Sequence, residues 1–192
     1  MVLDKKRCPW APISDHKYLQ YHDTEWGVPV FDDNKLFEML VLEGAQAGLS
    51  WRTILYRREN YRDCFHGFIP EKVARMCEKD INTLMINGGI IRNRQKISSA
   101  INNAKVFIKI SEDFGSFSNY CWGWLDGKPI INQFKTMNEV PAFTPLSESL
   151  GKDLKQRGMS FVGATIIYSF MQATGMTNDH LTSCFRHKEL GG

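Results

Sequence analysis

Two groups of residues in this chain have the types and spacing to do chemistry. Cys8 and His22 lie near its start, and His180 and Cys184 near its end. The H-x-x-x-C spacing of the second couple puts both side chains on one face of a helical turn. Two thiolates and two imidazoles form a closed tetrahedral zinc site with no position left for an activated water, so such a set is structural. It would clasp two chain ends that helix packing fixes poorly, with binding on the order of 10 kcal/mol coupled to folding. Spacing alone leaves a second reading open. The first couple is not the C-x-x-C of common fingers, His16, His66 and His187 compete as imidazoles, and all four could be unrelated surface and core residues.

The second group is a carboxylate among aromatics. Glu43 follows an apolar run at the end of a predicted helix and is drawn inward unless it is a surface glutamate or a helix-end cap. A buried carboxylate needs a partner. Glu25 carries the same ambiguity. Trp10, Tyr18, Tyr21, Trp26 and Trp51 are more aromatics than forty residues need for packing, although plain core accounts for them too. An aromatic box suits a flat cation, attracted to ring faces by about 2 kcal/mol when desolvated, or a nucleobase, which stacks on any such face. Further on, the segment from Leu84 to Lys96 reads as helix, glycine turn, helix. Backbone amides around Gly88 and Gly89, with the following helix N-terminus, can hold a phosphate. Arg92, Arg94 and Lys96 add charge of the kind that positions a protein on DNA without reading sequence. An ordinary interhelical turn with a solvated basic face is the alternative.

The elements that must position these residues read as helices. Asp32 and Asp33 can cap a helix through Leu36, Phe37, Leu40 and Val41, and Ser50 can cap another carrying Ile54, Leu55 and Tyr61. Pro70 suits a first turn. A short helix spans 80–86, Asn87-Gly88-Gly89 breaks it, and helix resumes near Arg92. Pro145 opens a helix that Gly158 closes after Lys155 and Arg157. The longest apolar stretch, Met159 to Gly175, is too short and too polar to span a bilayer comfortably and reads as a buried helix over about 161–173. Strand signals are weak: 124–128 can make one tight hairpin turn, and 132–144 reads as a loop. The fold class is all-α.

With 192 residues, 43% hydrophobic and 23% charged, the chain fits one domain, or one domain of two lobes, and is not disordered. No apolar run follows the basic start, so no signal peptide is expected and the setting is cytoplasmic, without a membrane. A net charge of +3 permits nucleic acid without demanding it. Five irregularly spaced cysteines argue against a disulfide framework. Cys64, Cys77 and Cys121 read as small buried core residues.

Taken together, Tyr21-His22-Asp23-Thr24-Glu25-Trp26-Gly27-Val28-Pro29, Leu42-Glu43-Gly44-Ala45-Gln46-Ala47-Gly48-Leu49-Ser50-Trp51, 58–62, 161–165 and 168–173 resemble the 3-methyladenine DNA glycosylase I family, within the helix-hairpin-helix glycosylase superfamily. The resemblance runs from Arg7-Cys8-Pro9-Trp10 to Cys184. It implies two helical lobes, a central one over about 36–112 with its hairpin at 87–91, and a terminal one from about 1–35 and 113–192 bearing the metal site. It implies one structural zinc ion on Cys8, His22, His180 and Cys184. It implies a base pocket around Glu43, walled by Trp10, Tyr18, Tyr21 and Trp51 with Ser169 behind. The segment Gln46, Gly48 and Leu49 would probe the DNA stack and fill the gap, and Gly88, Gly89, Ile90, Arg92 and Arg94 would anchor the duplex. Two departures stand out. Ile91 occupies the place of the hairpin's second glycine, and the superfamily's catalytic aspartate has no clear counterpart, Asp113 being merely near the right distance.

The implied reaction is hydrolysis of the bond between deoxyribose and 3-methyladenine in double-stranded DNA, by a monomer. The methylated base is cationic, so it leaves without protonation. Base flipping costs a few kcal/mol. Tyr21 and Trp51 would stack on the base while Glu43 accepts hydrogen bonds from its amine edge. Rival readings are a damage binder without catalysis, a glycoside hydrolase using Glu25 and Glu43, and a purely structural zinc domain.

Overall fold

The structure is a computed structural model that describes residues 5–192; the first four residues of the start, for which no signal peptide is expected, lie outside it. The chain is all-α, as its periodicity predicts, with eleven α-helices among the described residues.

Helix α1 (His16–Thr24) is capped by Asp15, whose carboxylate accepts from the Tyr18 amide at 3.1 Å. The same carboxylate takes bonds from Arg52 and Tyr56, tying the start of α1 to the next segment. Asp32 caps α2 (Asp33–Gln46), buried along ten consecutive positions from Leu36 to Ala45. Ser50 caps α3 (Trp51–Leu55), which ends early; Tyr61 belongs to a separate helix, α4 (Arg58–Cys64). Pro70 opens α5 (Pro70–Val73), and α6 (Glu78–Ile86) precedes the glycine turn. The long helix α7 (Arg94–Phe114) starts two residues later than predicted, because Asn93 is extended and caps it through the Lys96 amide. Then follow α8 (Phe117–Gly123), α9 (Pro145–Gln156), α10 (Ala164–Ala173) and α11 (Phe185–Glu189). The buried helix α10 begins three residues later than expected because Phe161 takes a positive φ of 55° and Gly163 is extended.

Asp126 and Gly127, with φ of 51° and 74°, make the tight turn at 124–128, but it joins no hairpin. The strand pairing is parallel and brings distant segments together: β1 (Ile130–Ile131) lies beside β2 (Thr177–Asn178). Cys121 is buried, Cys64 is half-buried, and Cys77 is exposed at the N-cap of α6, contrary to the core reading. A contiguous apolar core runs from Tyr21 to Met176, with α2 near its centre. A smaller cluster of Cys8, Leu181 and Cys184 sits under Trp10, Trp26, Phe134 and Phe185. No helix among the described residues is long and apolar enough to cross a membrane.

Candidate functional site

The four candidate ligand residues converge. Cys8, His22, His180 and Cys184 are buried, and their donor atoms all lie within 4.8 Å of one another. Sγ of Cys184 is 3.5 Å from Nε2 of His22 and 3.5 Å from Nδ1 of His180, and Sγ of Cys8 is 3.6 Å from Nδ1 of His180. A tetrahedron with Zn–S near 2.3 Å and Zn–N near 2.05 Å has S···N edges of about 3.5 Å, so the donor set fits such an ion. The other ring nitrogens are committed: Nδ1 of His22 meets Asp23 at 2.8 Å, and Nε2 of His180 meets the Trp26 carbonyl at 3.0 Å. These bonds aim Nε2 of His22 and Nδ1 of His180 inward, as metal-binding histidines require. Arg7 holds Asp23 in turn. Cys184 is pulled far below the usual thiol range, first by the neighbouring Cys8 thiol and then by the two imidazoles, while Cys8 is pushed up by its closeness to Cys184 and by burial. Thiolate character and fixed imidazoles suit a cation.

A cavity of about 360 Å³ opens beside this cluster. Helix α1 serves both sites: Tyr18 and Tyr21, three apart, face the cavity, and His22 turns to the ligand cluster. Trp10, Tyr18, Tyr21, Trp51 and Ser169, the residues the family resemblance assigns to a base pocket, all line the cavity, and so does Glu43, from the last turn of α2. Glu43 is 4% exposed, and no described side chain or amide hydrogen-bonds its carboxyl group. Burial alone pushes its pKa up from 4.5 to about 8. This is the unusual feature of the site, since buried carboxyls are normally paired. The Tyr21 and Trp51 rings touch each other, with centroids 5.2 Å apart and planes tilted by 43°. They make one wall, against which a flat ring can lie, rather than two jaws around it.

Trp26, named among the clustered aromatics but not among the expected pocket walls, lines the cavity and also packs edge-on to His180 at 4.6 Å and to Trp10 at 4.9 Å, joining the two sites. Sequence reasoning missed the rest of the lining. The 132–144 loop supplies Met137, Val140, Pro141 and Ala142, and α10 adds Thr165, Tyr168 and Gln172. Asp179 also lines it, 2% exposed. Its two oxygens take Thr177, Asn132, Gln172 and Tyr168 as donors. Four donors fill a carboxylate's lone pairs, so Asp179 is a brace, where Glu43 is bare. A single aspartate next to a histidine gives no such signal in sequence.

Glu25 is not part of the cavity lining with Glu43. It pairs with Arg58 at 2.7 Å and with Lys35 at 3.6 Å, in a cluster where Arg58 also meets Glu38 at 2.5 Å. An acid–base pair of Glu25 and Glu43 is therefore not built. Asp113 is half-exposed and faces Arg157, away from the cavity.

The segment expected to probe DNA stands at the cavity rim. Gln46 is half-buried, Gly48 turns the chain with φ 76°, and Leu49 is 41% exposed. In the turn after α6, a Cβ on Gly89 would lie 2.9 Å from Cγ of Asn60, so a larger residue does not fit there, while Gly88 is open. The Gly89 amide is already bonded to Oδ1 of Asn87 at 2.7 Å, and that of Ile91 to the Tyr61 hydroxyl at 3.1 Å. Ile90 is 3% exposed: its side chain is core, and only its backbone could meet a partner. Arg92 is exposed with no side-chain partner among the described residues, whereas Arg94 is engaged with Glu78 and Asn82.

The fold and site define a class: a helical protein with a helix–glycine-turn–helix, a Cys/His cluster, and a ring-lined pocket around one bare carboxyl group. The methyladenine glycosylase family model matches residues 10–187, and the chain belongs to that family. It is 49% identical to DNA-3-methyladenine glycosylase 1 of Escherichia coli, over 93% of this chain and 95% of that one. A crystal structure of a 3-methyladenine DNA glycosylase I superposes with a TM-score of 0.91 at 51% identity, covering 94% of this chain and 98% of that one. A variant of 3-methyladenine DNA glycosylase I solved in complex with 3-methyladenine superposes with a TM-score of 0.90 at 38% identity, over 93% and 96%.

Proposed function

We propose that this enzyme hydrolyses the N-glycosidic bond of 3-methyladenine in alkylated double-stranded DNA, releasing the free base and leaving an abasic site. The observation that carries the reading is Glu43, a buried carboxyl group without a partner in an aromatic cavity whose volume falls within the usual range for small-molecule sites. The ligand complex of a similar glycosylase supports it.

In this reading the lesion is flipped out of the stack. The base lies against the Tyr21–Trp51 wall, with Trp10 and Tyr18 at its edge and Ser169 behind. Glu43 gives up its proton as the cationic nucleoside enters, and the carboxylate accepts from the exocyclic amine. Ion pair and ring faces then favour the charged lesion over neutral adenine. The cationic base is a good leaving group, so the absence of a general acid costs little. Gln46, Gly48 and Leu49 fill the vacated space in the duplex. Gly88, the Ile90 backbone and Arg92 contact phosphates, with Gly89 joining once its amide is released from Asn87 and Arg94 once released from Glu78.

Cys8, His22, His180 and Cys184 would hold one zinc ion with all four positions filled, which supplies rigidity and not activated water. The chain would act as one domain, with the hairpin in a central lobe (36–112) and the clasp in a terminal one. It would act as a monomer. Unpaired thiols and a DNA substrate fit the cytoplasm.

Incubation with methylated duplex DNA, followed by chromatography of the small molecules, tests the reaction. Release of 3-methyladenine is expected. Tight binding with no released base would favour a damage binder, and no interaction with methylated DNA would leave a structural metal domain.

A further inference from the structure

Lys96 does not behave as the surface charge its place in the sequence suggests. It lies in the first turn of α7, directly after the glycine turn, where the helix dipole disfavours a cation by about 0.3–1 kcal/mol. Its Nζ reaches across to the end of α2 and donates to the carbonyls of Ala45 at 2.8 Å and Ala47 at 2.6 Å. Those carbonyls are left over where α2 stops. The amide of Leu49, which would have continued the helix onto Ala45, instead bonds Gln46 at 2.6 Å, and Ala47 is the non-helical cap. Two of the three ammonium donors are thus spent on the backbone of the turn that presents Gly48 and Leu49, and the side chain is half-buried. Burial lowers its pKa, as for a lysine taken out of solvent.

We infer that Lys96 is a positioning residue that locks the exposed Gln46–Leu49 turn to the helix following the glycine turn, so that duplex anchoring and filling of the vacated base position occur as one rigid unit. Its ammonium is not a phosphate contact. The geometry supports this directly: one side chain bridges the two segments that must meet DNA at the same time, and does so through carbonyls that carry the negative end of α2. A turn misplaced by about 1 Å costs on the order of a hundredfold in rate when it carries a reacting geometry. Glu43 lies two residues before the first of these carbonyls, inside the helix, where its position is set by packing along α2. The pocket should therefore keep its affinity for free base when the bridge is cut.

This inference rests on the glycosylase reading, and the experiment separates the two. The metal-loaded protein and its Lys96→Met variant are compared in three measurements: single-turnover kcat/KM on a methylated duplex, affinity for free 3-methyladenine, and the slope of log K against log salt for duplex binding. The expected result is a loss of about tenfold or more in kcat/KM on duplex, unchanged free-base affinity, and an unchanged salt slope. Lys96→Gln, which retains an N–H donor on a shorter chain, should recover part of the rate; it also serves in place of the methionine variant if thermal melting shows that variant unfolded. A salt slope reduced by about 1 would identify a phosphate contact and overturn the inference. Unchanged duplex excision, or free-base affinity falling with it, would overturn it as well. Failure of the wild-type protein to release any base from methylated duplex would instead refute the glycosylase reading, and the Lys96 inference with it.

Discussion

Replacing Glu43 by Gln should make the protein more stable and less active at once, and the stability gain should depend on pH. The folded carboxyl group titrates at about 8 instead of 4.5 because it is buried without a partner. A carboxyl group whose folded pKa is raised favours the folded state fully below its unfolded pKa, and that advantage is lost as pH climbs through the window to the folded value. Each unit in that window is worth about 1.4 kcal/mol. Between pH 4.5 and pH 7 the wild type therefore loses about 3 kcal/mol that the glutamine variant, neutral throughout, does not lose. Above pH 8 the difference levels off near 5 kcal/mol. Every other group is common to the two proteins and cancels in the comparison. Urea denaturation at pH 5, 6, 7 and 8 with metal present reads the difference directly. In thermal melts it should appear as roughly 2–4 °C for each kcal/mol in a chain of this size. Curves for the two proteins that run parallel across this range would mean that Glu43 is not a bare buried acid, and the electrostatic argument for the pocket would fall with it. In the same variant, excision of 3-methyladenine should drop sharply. Wild-type excision should rise as pH approaches 8 while that of the variant stays flat.

Cys184→Ala should abolish stoichiometric metal binding and lower thermal stability by several kcal/mol, on the scale of structural zinc sites; a variant fully stable yet inactive, by melting and excision assays, would argue for a catalytic ion. Arg92→Gln should reduce the slope of log K against log salt by about 1, and Arg94→Gln by less, because Arg94 is already engaged with Glu78; equal slopes in quantitative DNA binding would contradict that ranking. Gly89→Ala should destabilise by about 1–3 kcal/mol through its clash with Asn60, and unchanged unfolding would show that the turn yields freely.

Much of this protein is written locally. Asp32, Ser50 and Pro145 start helices where their chemistry says they should, because caps and N1 prolines act on the amides next to them. Asn87-Gly88-Gly89 ends one helix for an equally local reason. The types of Cys8, His22, His180 and Cys184 allow a metal chemistry whether or not one knows the fold, and the long motifs around Glu43 carry the family. Tertiary structure decided the rest, since it depends on which segments meet. That four residues spread over 177 positions close to within 4.8 Å follows from packing around α1 and from the pairing of β1 with β2. Packing also gave Glu25 to Arg58 and left Glu43 alone, although the two glutamates look alike in sequence. The same holds for the bracing bonds of Asp179, the outward-facing Cys77 and the turn of Lys96 from solvent toward α2. A side chain's charge and shape are fixed by its own identity, but its partners, and therefore its pKa and its role, are set by residues far away along the chain.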